Sequence, residues 1–126
     1  MTDLLVEPQW LATRLDDPGL RIVDLCKADH YARHHIRGAV HLAYDRLVTK
    51  APPVGGLLPE RSEFADLMGS LGISNKHRVI AYDEEGGGRA ARLLWSLHAY
   101  GHRDASILDG GATSWAGDGF PLEETA

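Results

Sequence analysis

An α/β fold is predicted for this chain, with a central, mostly parallel sheet and helices on both faces. Short apolar runs suited to buried strands stand at Arg21–Leu25, Arg78–Tyr82 and Ala105–Leu108. Segments with helical spacing of apolar residues lie between them, and strands alternating with helices argue for parallel pairing through crossovers. The length of 126 residues suits one domain, expected to span residues 1–126.

The elements follow in order. Pro8 opens a first helix, where its missing N–H costs nothing; Trp10, Leu11 and Leu15 give it an apolar face, and Pro18-Gly19 is expected to end it. After the strand ending at Leu25 come a short helix over residues 28–34 and a second strand near Ala39–Leu42. Tyr44 to Pro59 contains Pro52-Pro53 and Gly55-Gly56 and reads as a long excursion without periodicity. Phe64, Leu67, Met68 and Leu71 recur at i, i+3, i+4, i+7, which predicts an amphipathic helix stopped by Gly72. Ala90, Leu93, Leu94 and Leu97 mark another helix, ending near Gly101. Gly110-Gly111 is a turn, and Trp115 sits on a last short helix. Trp10, Trp95 and Trp115 are expected as core anchors.

Composition narrows the function classes. A formal net charge of -5 weakens any case for nucleic acid or an anionic membrane as partner. No stretch approaches the roughly 20 apolar residues of a membrane span, and the first residues have no basic region before an apolar run, so no secretory signal is expected. The only cysteine, Cys26, allows no internal disulfide. Together these point to a cytoplasmic protein.

In open parallel sheets, sites form in the loops beyond the carboxyl ends of strands. Two such loops stand out: the one after Leu25 and the one after Tyr82, which reads Asp83-Glu84-Glu85-Gly86-Gly87-Gly88-Arg89. Three blocks around them are distinctive. The first is Ile22-Val23-Asp24 with Tyr31 and His35-Ile36-Arg37-Gly38-Ala39. The second is Val79-Ile80-Ala81-Tyr82-Asp83 with Ala90-Ala91-Arg92-Leu93-Leu94-Trp95. The third is Leu108-Asp109-Gly110-Gly111 with Trp115 and Gly119-Phe120-Pro121. In this order they resemble the rhodanese-like family of sulfurtransferases. The second block is most similar to the N-terminal, non-catalytic half of two-domain thiosulfate and 3-mercaptopyruvate sulfurtransferases.

The resemblance implies a single rhodanese-like domain whose partner is a second, catalytic rhodanese-like domain or another protein; no cofactor and no metal are expected. In active members, it further implies, a cysteine follows the strand that here ends at Tyr82. Backbone N–H groups of the loop and the next helix's N-terminus converge on its sulfur and stabilise thiolate and persulfide. Here that position holds Asp83, so residues Asp83 to Arg89 are expected to be a vestigial active-site loop. A carboxylate forms no persulfide, and loss of a catalytic nucleophile costs on the order of a millionfold in rate. Asp83, Glu84 and Glu85 also put three carboxylates where an anionic donor would dock, with Arg89 and Arg92 offsetting part of the charge. The plainer expectation is that the acids cap the following helix.

Two other readings of the loop are weaker. Asp83 and Arg89 stand as D-x5-R, whereas the related cell-cycle phosphatases use C-x5-R with the arginine gripping phosphate. Gly86-Gly87-Gly88 lacks the Lys-Ser/Thr of a phosphate-binding P-loop. Cys26 is the alternative candidate for sulfur chemistry, with His30 able to lower its pKa when protonated. Cys26, His30 and His34 fall at i, i+4, i+8, a spacing zinc accepts on a continuous helix, but no fourth ligand is evident and Cys26 is expected in the loop before the helix. The simpler expectation for Cys26 is a small, half-buried side chain. Asp24 is expected to satisfy backbone or His35 donors, and His35 to be a hydrogen-bonded core residue. A third functional class is a regulatory module that holds a basic partner on the acidic loop.

Overall fold

The computed structural model describes residues 4–47 and 60–124. Five strands form one parallel sheet: β1 (Leu5–Val6), β2 (Leu20–Asp24), β3 (Val40–His41), β4 (Arg78–Tyr82) and β5 (Ala105–Leu108). Their spatial order is β1-β5-β4-β2-β3. The helices are α1 (Pro8–Ala12), α2 (Ala28–Arg33), α3 (Arg61–Ser70), α4 (Gly88–Ala99) and α5 (Gly111–Gly117), with a 3-10 turn at Tyr44–Leu47. The remainder of the proline- and glycine-rich excursion lies outside the described residues.

Side chains alternate across each strand, so β2 and β4 feed two separate cores. Val23, Val79 and Ala81 join Phe64, Leu67 and Met68 of α3 and Leu93, Leu94 and Leu97 of α4 on one face. Ile22, Ile80 and Tyr82 join Leu11 of α1 and Ala112 and Trp115 of α5 on the other. The central strands are buried on both faces, which is why they read as continuous apolar runs.

Three expectations are corrected. The first helix stops at Ala12 rather than near Pro18, because Arg14 N–H already bonds the Leu11 carbonyl and the Thr13 hydroxyl turns back to the Trp10 carbonyl. Sequence periodicity missed β1, whose two residues pair with Ile107 and Leu108 of β5. Trp95 is no core anchor. It is 50% exposed, because it faces away from the 90-93-94-97 stripe, and the Arg92 guanidinium stacks on its ring at 4.4 Å. Trp115 does anchor the core. Its ring is buried, and its Nε1–H bonds the Pro121 carbonyl at 2.9 Å, folding Phe120 and Pro121 back over the helix.

The Gly110-Gly111 turn brings α5 against the loop after β4. Ala112 N–H donates to the Asp83 carbonyl at 3.1 Å. Gly111 has φ +58°, and a Cβ there would stand 2.3 Å from that same carbonyl oxygen. Gly111→Ala is therefore expected to cost about 1–3 kcal/mol from backbone conformation alone, with the overlap adding to it. A urea melt of the variant beside the parent measures the loss, and an unchanged midpoint would remove this account of the turn.

Candidate functional site

The register Asp24↔Tyr82 aligns the carboxyl ends of β2 and β4, and Leu25 N–H extends the pairing by bonding the Tyr82 carbonyl at 2.9 Å. The two loops singled out in the sequence therefore emerge side by side. A buried polar chain ties them at the root. Ile36 N–H donates to the Tyr82 hydroxyl, that hydroxyl donates to Asp24 Oδ2, and Asp24 Oδ1 accepts Cys26 N–H at 2.7 Å. Of the two expected alternatives, Asp24 thus serves the backbone, at Cys26 N–H, together with the Tyr82 hydroxyl, and not His35. His35 Nδ1 pairs instead with the Tyr31 carbonyl at 2.8 Å, and its ring stacks on Tyr31.

Asp83 follows β4 directly and is 2% exposed. Its carboxylate accepts four backbone N–H groups: Oδ1 takes Glu85 and Gly87 at 2.8 and 2.9 Å, and Oδ2 takes Arg89 and Ala90, both at 3.0 Å. The N-cap of α4 is Gly87, which has no side chain to give, so Asp83 caps the helix from four residues upstream of that position. The helix N-terminus and the converging amides make a site for negative charge, and the carboxylate fills it.

Of the neighbouring acids, Glu84 turns inward, while Glu85 stays exposed and pairs with basic side chains. Glu84 Oε2 accepts Lys27 N–H at 3.1 Å. Glu85 meets Arg89 Nε at 3.2 Å and Lys27 Nζ at 3.9 Å. Arg89 reaches the Leu25 carbonyl at 3.4 Å and lies over the Tyr44 ring, so its guanidinium is engaged within the loop cluster. A surface depression beside the loop is lined by Asp83, Gly86, Gly87, Asp109, Gly110 and Gly111 among others, and two of those residues are acids.

Cys26 is 1% exposed, not half-buried as expected. Its amide is held by Asp24, and its carbonyl takes His41 Nε2 at 2.9 Å. Burial pushes the thiol pKa far up, and the carboxylates of Asp24 and Glu84 push it further. The consequence for stability has a definite sign. Below the ordinary thiol value of 9.0 both folded and unfolded chains keep the proton. Above it only the unfolded chain releases it, so stability falls by about 1.4 kcal/mol per pH unit as pH climbs toward the folded value. Urea midpoints taken from about pH 8 to pH 10 should fall with a slope that steepens above pH 9 in the parent, and fall less in Cys26→Ser. An equal slope in both would refute the assignment to Cys26.

The described chain matches the family model for the rhodanese-like domain over residues 7–118. This chain belongs to the rhodanese-like family. It is 40% identical to the thiosulfate sulfurtransferase of Pseudomonas aeruginosa over 120 residues, 95% of this chain and 44% of that protein. The bovine thiosulfate sulfurtransferase is 35% identical over 94% of this chain and, again, 44% of the relative. Among solved structures, SseA from Escherichia coli, described with the 3-mercaptopyruvate sulfotransferases, superposes with a TM-score of 0.87 at 34% identity, covering 99% of this chain and 53% of that one. The rhodanese-like chain thus spans about half the length of the relatives it matches. Among its described residues, no helix is long and apolar enough to cross a membrane.

Within this rhodanese-like domain, sequence reasoning placed Asp83 and Cys26 at one sheet edge, with Cys26 in the loop before the helix, as it is. It missed that Glu84 belongs with Cys26 and His30, having weighed only His34 as a further ligand by spacing. Cys26 precedes α2, and His34 is the residue after its last turn, so the three never share a helical face. The signal that finds Glu84 is register. Cys26 and Glu84 each lie two residues beyond the paired Asp24 and Tyr82.

Proposed function

We propose that this chain is the non-catalytic rhodanese-like domain of a sulfurtransferase, acting beside a second, catalytic rhodanese-like domain whose donor site it shapes or stabilises. One observation carries the reading: the Asp83 carboxylate takes the four N–H groups that, in the active members the sequence resembles, would hold the reacting sulfur. A carboxylate there has no electron pair able to open a sulfur–sulfur bond and keep the sulfur. The relatives named thiosulfate and 3-mercaptopyruvate sulfurtransferase, each about twice as long as this chain, support the two-domain arrangement.

Sulfur transfer through Cys26 is the competing enzymatic reading. It requires an accessible thiolate, whereas Cys26 is buried and flanked by two carboxylates. The reading as an acidic docking loop is weakened because Glu84 and Glu85 are spent on Lys27 and Arg89. The test is to incubate the reduced chain and its Cys26→Ser variant with saturating thiosulfate, then measure intact mass and sulfite release. No added sulfur and no sulfite are expected from either. A persulfide adduct on the parent that Cys26→Ser abolishes would transfer the function to Cys26.

A further inference from the structure

A second cluster lies at the same sheet edge, beside the Asp83 cradle. The sulfur of Cys26, a ring nitrogen of His30 and a carboxylate oxygen of Glu84 all lie within 4.8 Å of one another. We propose that these three side chains form a binding site for a borderline-soft divalent cation of the Zn2+ class, with a fourth position left to water.

Thiolate, imidazole and carboxylate are the ligand types zinc takes, at bond lengths of about 2.0–2.3 Å that set tetrahedral ligand atoms roughly 3.3–3.8 Å apart. The observed spacing lies about 1 Å wide of that range, within the reach of side-chain rotation in His30 and Glu84, both of which retain some exposure. An independent observation points the same way. His30 Nδ1 and Glu84 Oε1 are both sealed from solvent, and neither has a hydrogen-bond partner among the described residues. His30 Nδ1 stands 4.0 Å from Glu84 Oε2, too long for a hydrogen bond. Buried polar atoms left unpaired cost free energy, and a shared cation satisfies both at once.

The surroundings favour it. Asp24 and Glu84 flank the sulfur, so the field at the cluster is negative and draws a cation. The backbone on either side is fixed: Asp24 holds the Cys26 amide, His41 holds its carbonyl, and Lys27 N–H orients the Glu84 carboxylate. Supporting bonds of this kind hold ligands in position for a metal. His30 also lines a surface depression with His34, Ala112 and Thr113, which gives solvent access to one side of the ring. The ion would clip the start of α2 to the loop after β4.

Cobalt is the probe, since Co2+ bound to thiolate gives a charge-transfer absorption that Zn2+ then bleaches. One equivalent of Co2+ added to the reduced, chelator-treated full chain is expected to develop that band. Cys26→Ser should abolish it, and Glu84→Gln and His30→Ala should each weaken Zn2+ binding tenfold or more by calorimetry. Circular dichroism checks that each variant folds. If His30→Ala does not, Glu84→Gln decides the matter, because it keeps size and removes charge. Absence of a thiolate band at saturating Co2+, or Zn2+ affinity unchanged in Glu84→Gln, overturns the site and assigns any bound metal to other histidines of the chain.

Discussion

Asp83→Ala is expected to lower the unfolding free energy by about 3–5 kcal/mol. The carboxylate makes four hydrogen bonds to backbone N–H groups, and bonds to an ionised acceptor are the strong ones. Removing it strips the first turn of α4 of its side-chain cap, a loss of about 1–2 kcal/mol in itself. It also leaves the Ala90 amide, in a fully buried residue, without an acceptor, at a further cost of about 1–3 kcal/mol. Asp83→Asn separates geometry from charge. The amide keeps one oxygen but turns an NH2 group toward two donors, so the variant is expected to recover less than half of the loss. Urea melts of the three proteins measure this. An asparagine variant as stable as the parent would show that the cradle does not read the carboxylate's charge or its second oxygen.

Asp83→Cys, made on the Cys26→Ser background, is expected to gain what the parent lacks: a thiosulfate-dependent persulfide. The four N–H groups and the α4 N-terminus would lower the pKa of the new thiol, as amides and helix N-termini do elsewhere. The thiolate attacks the outer sulfur of thiosulfate. A new sulfur–sulfur bond forms to the protein, the old one breaks, and sulfite leaves with the electron pair. The expected readout is a mass increase of one sulfur atom with one equivalent of sulfite. Turnover is expected to stay low, because Asp109 lines the depression beside the loop and keeps that approach acidic. If the variant folds, ionises its thiol near neutral pH and still takes no sulfur, the backbone cradle alone is not sufficient to accept sulfur, and the proposed origin of the parent's silence must widen to the whole loop.

Most of the architecture was legible because burial on both faces leaves an unmistakable trace. Ile22-Val23, Val79–Tyr82 and the 64-67-68 and 90-93-94-97 stripes each have one physical reading. Leu5–Val6 was not legible. Two residues carry no period, and Leu5 is mostly exposed, so pairing with β5 alone makes them a strand. The end of α1 was obscured for a similar reason. Leu15 still packs on the core after the helix has stopped, which prolongs the apolar pattern beyond the hydrogen bonds.

The site was legible in position more than in content. That Asp83 would follow the central strand came from the pattern; that its two oxygens would divide four amides did not, because the loop path depends on glycines with positive φ at Gly86 and Gly87. The inward turn of Glu84 was hidden as well. Its partner amide, Lys27, is 57 positions away in sequence and is brought near only by the β2–β4 register.

Asp83 also does something that neither its charge nor its place in the family resemblance announces. Its side chain grips α4 on one side of the sheet, while its main-chain oxygen receives Ala112 of α5 from the opposite layer. One residue therefore rivets two helical coats that otherwise never touch the same core.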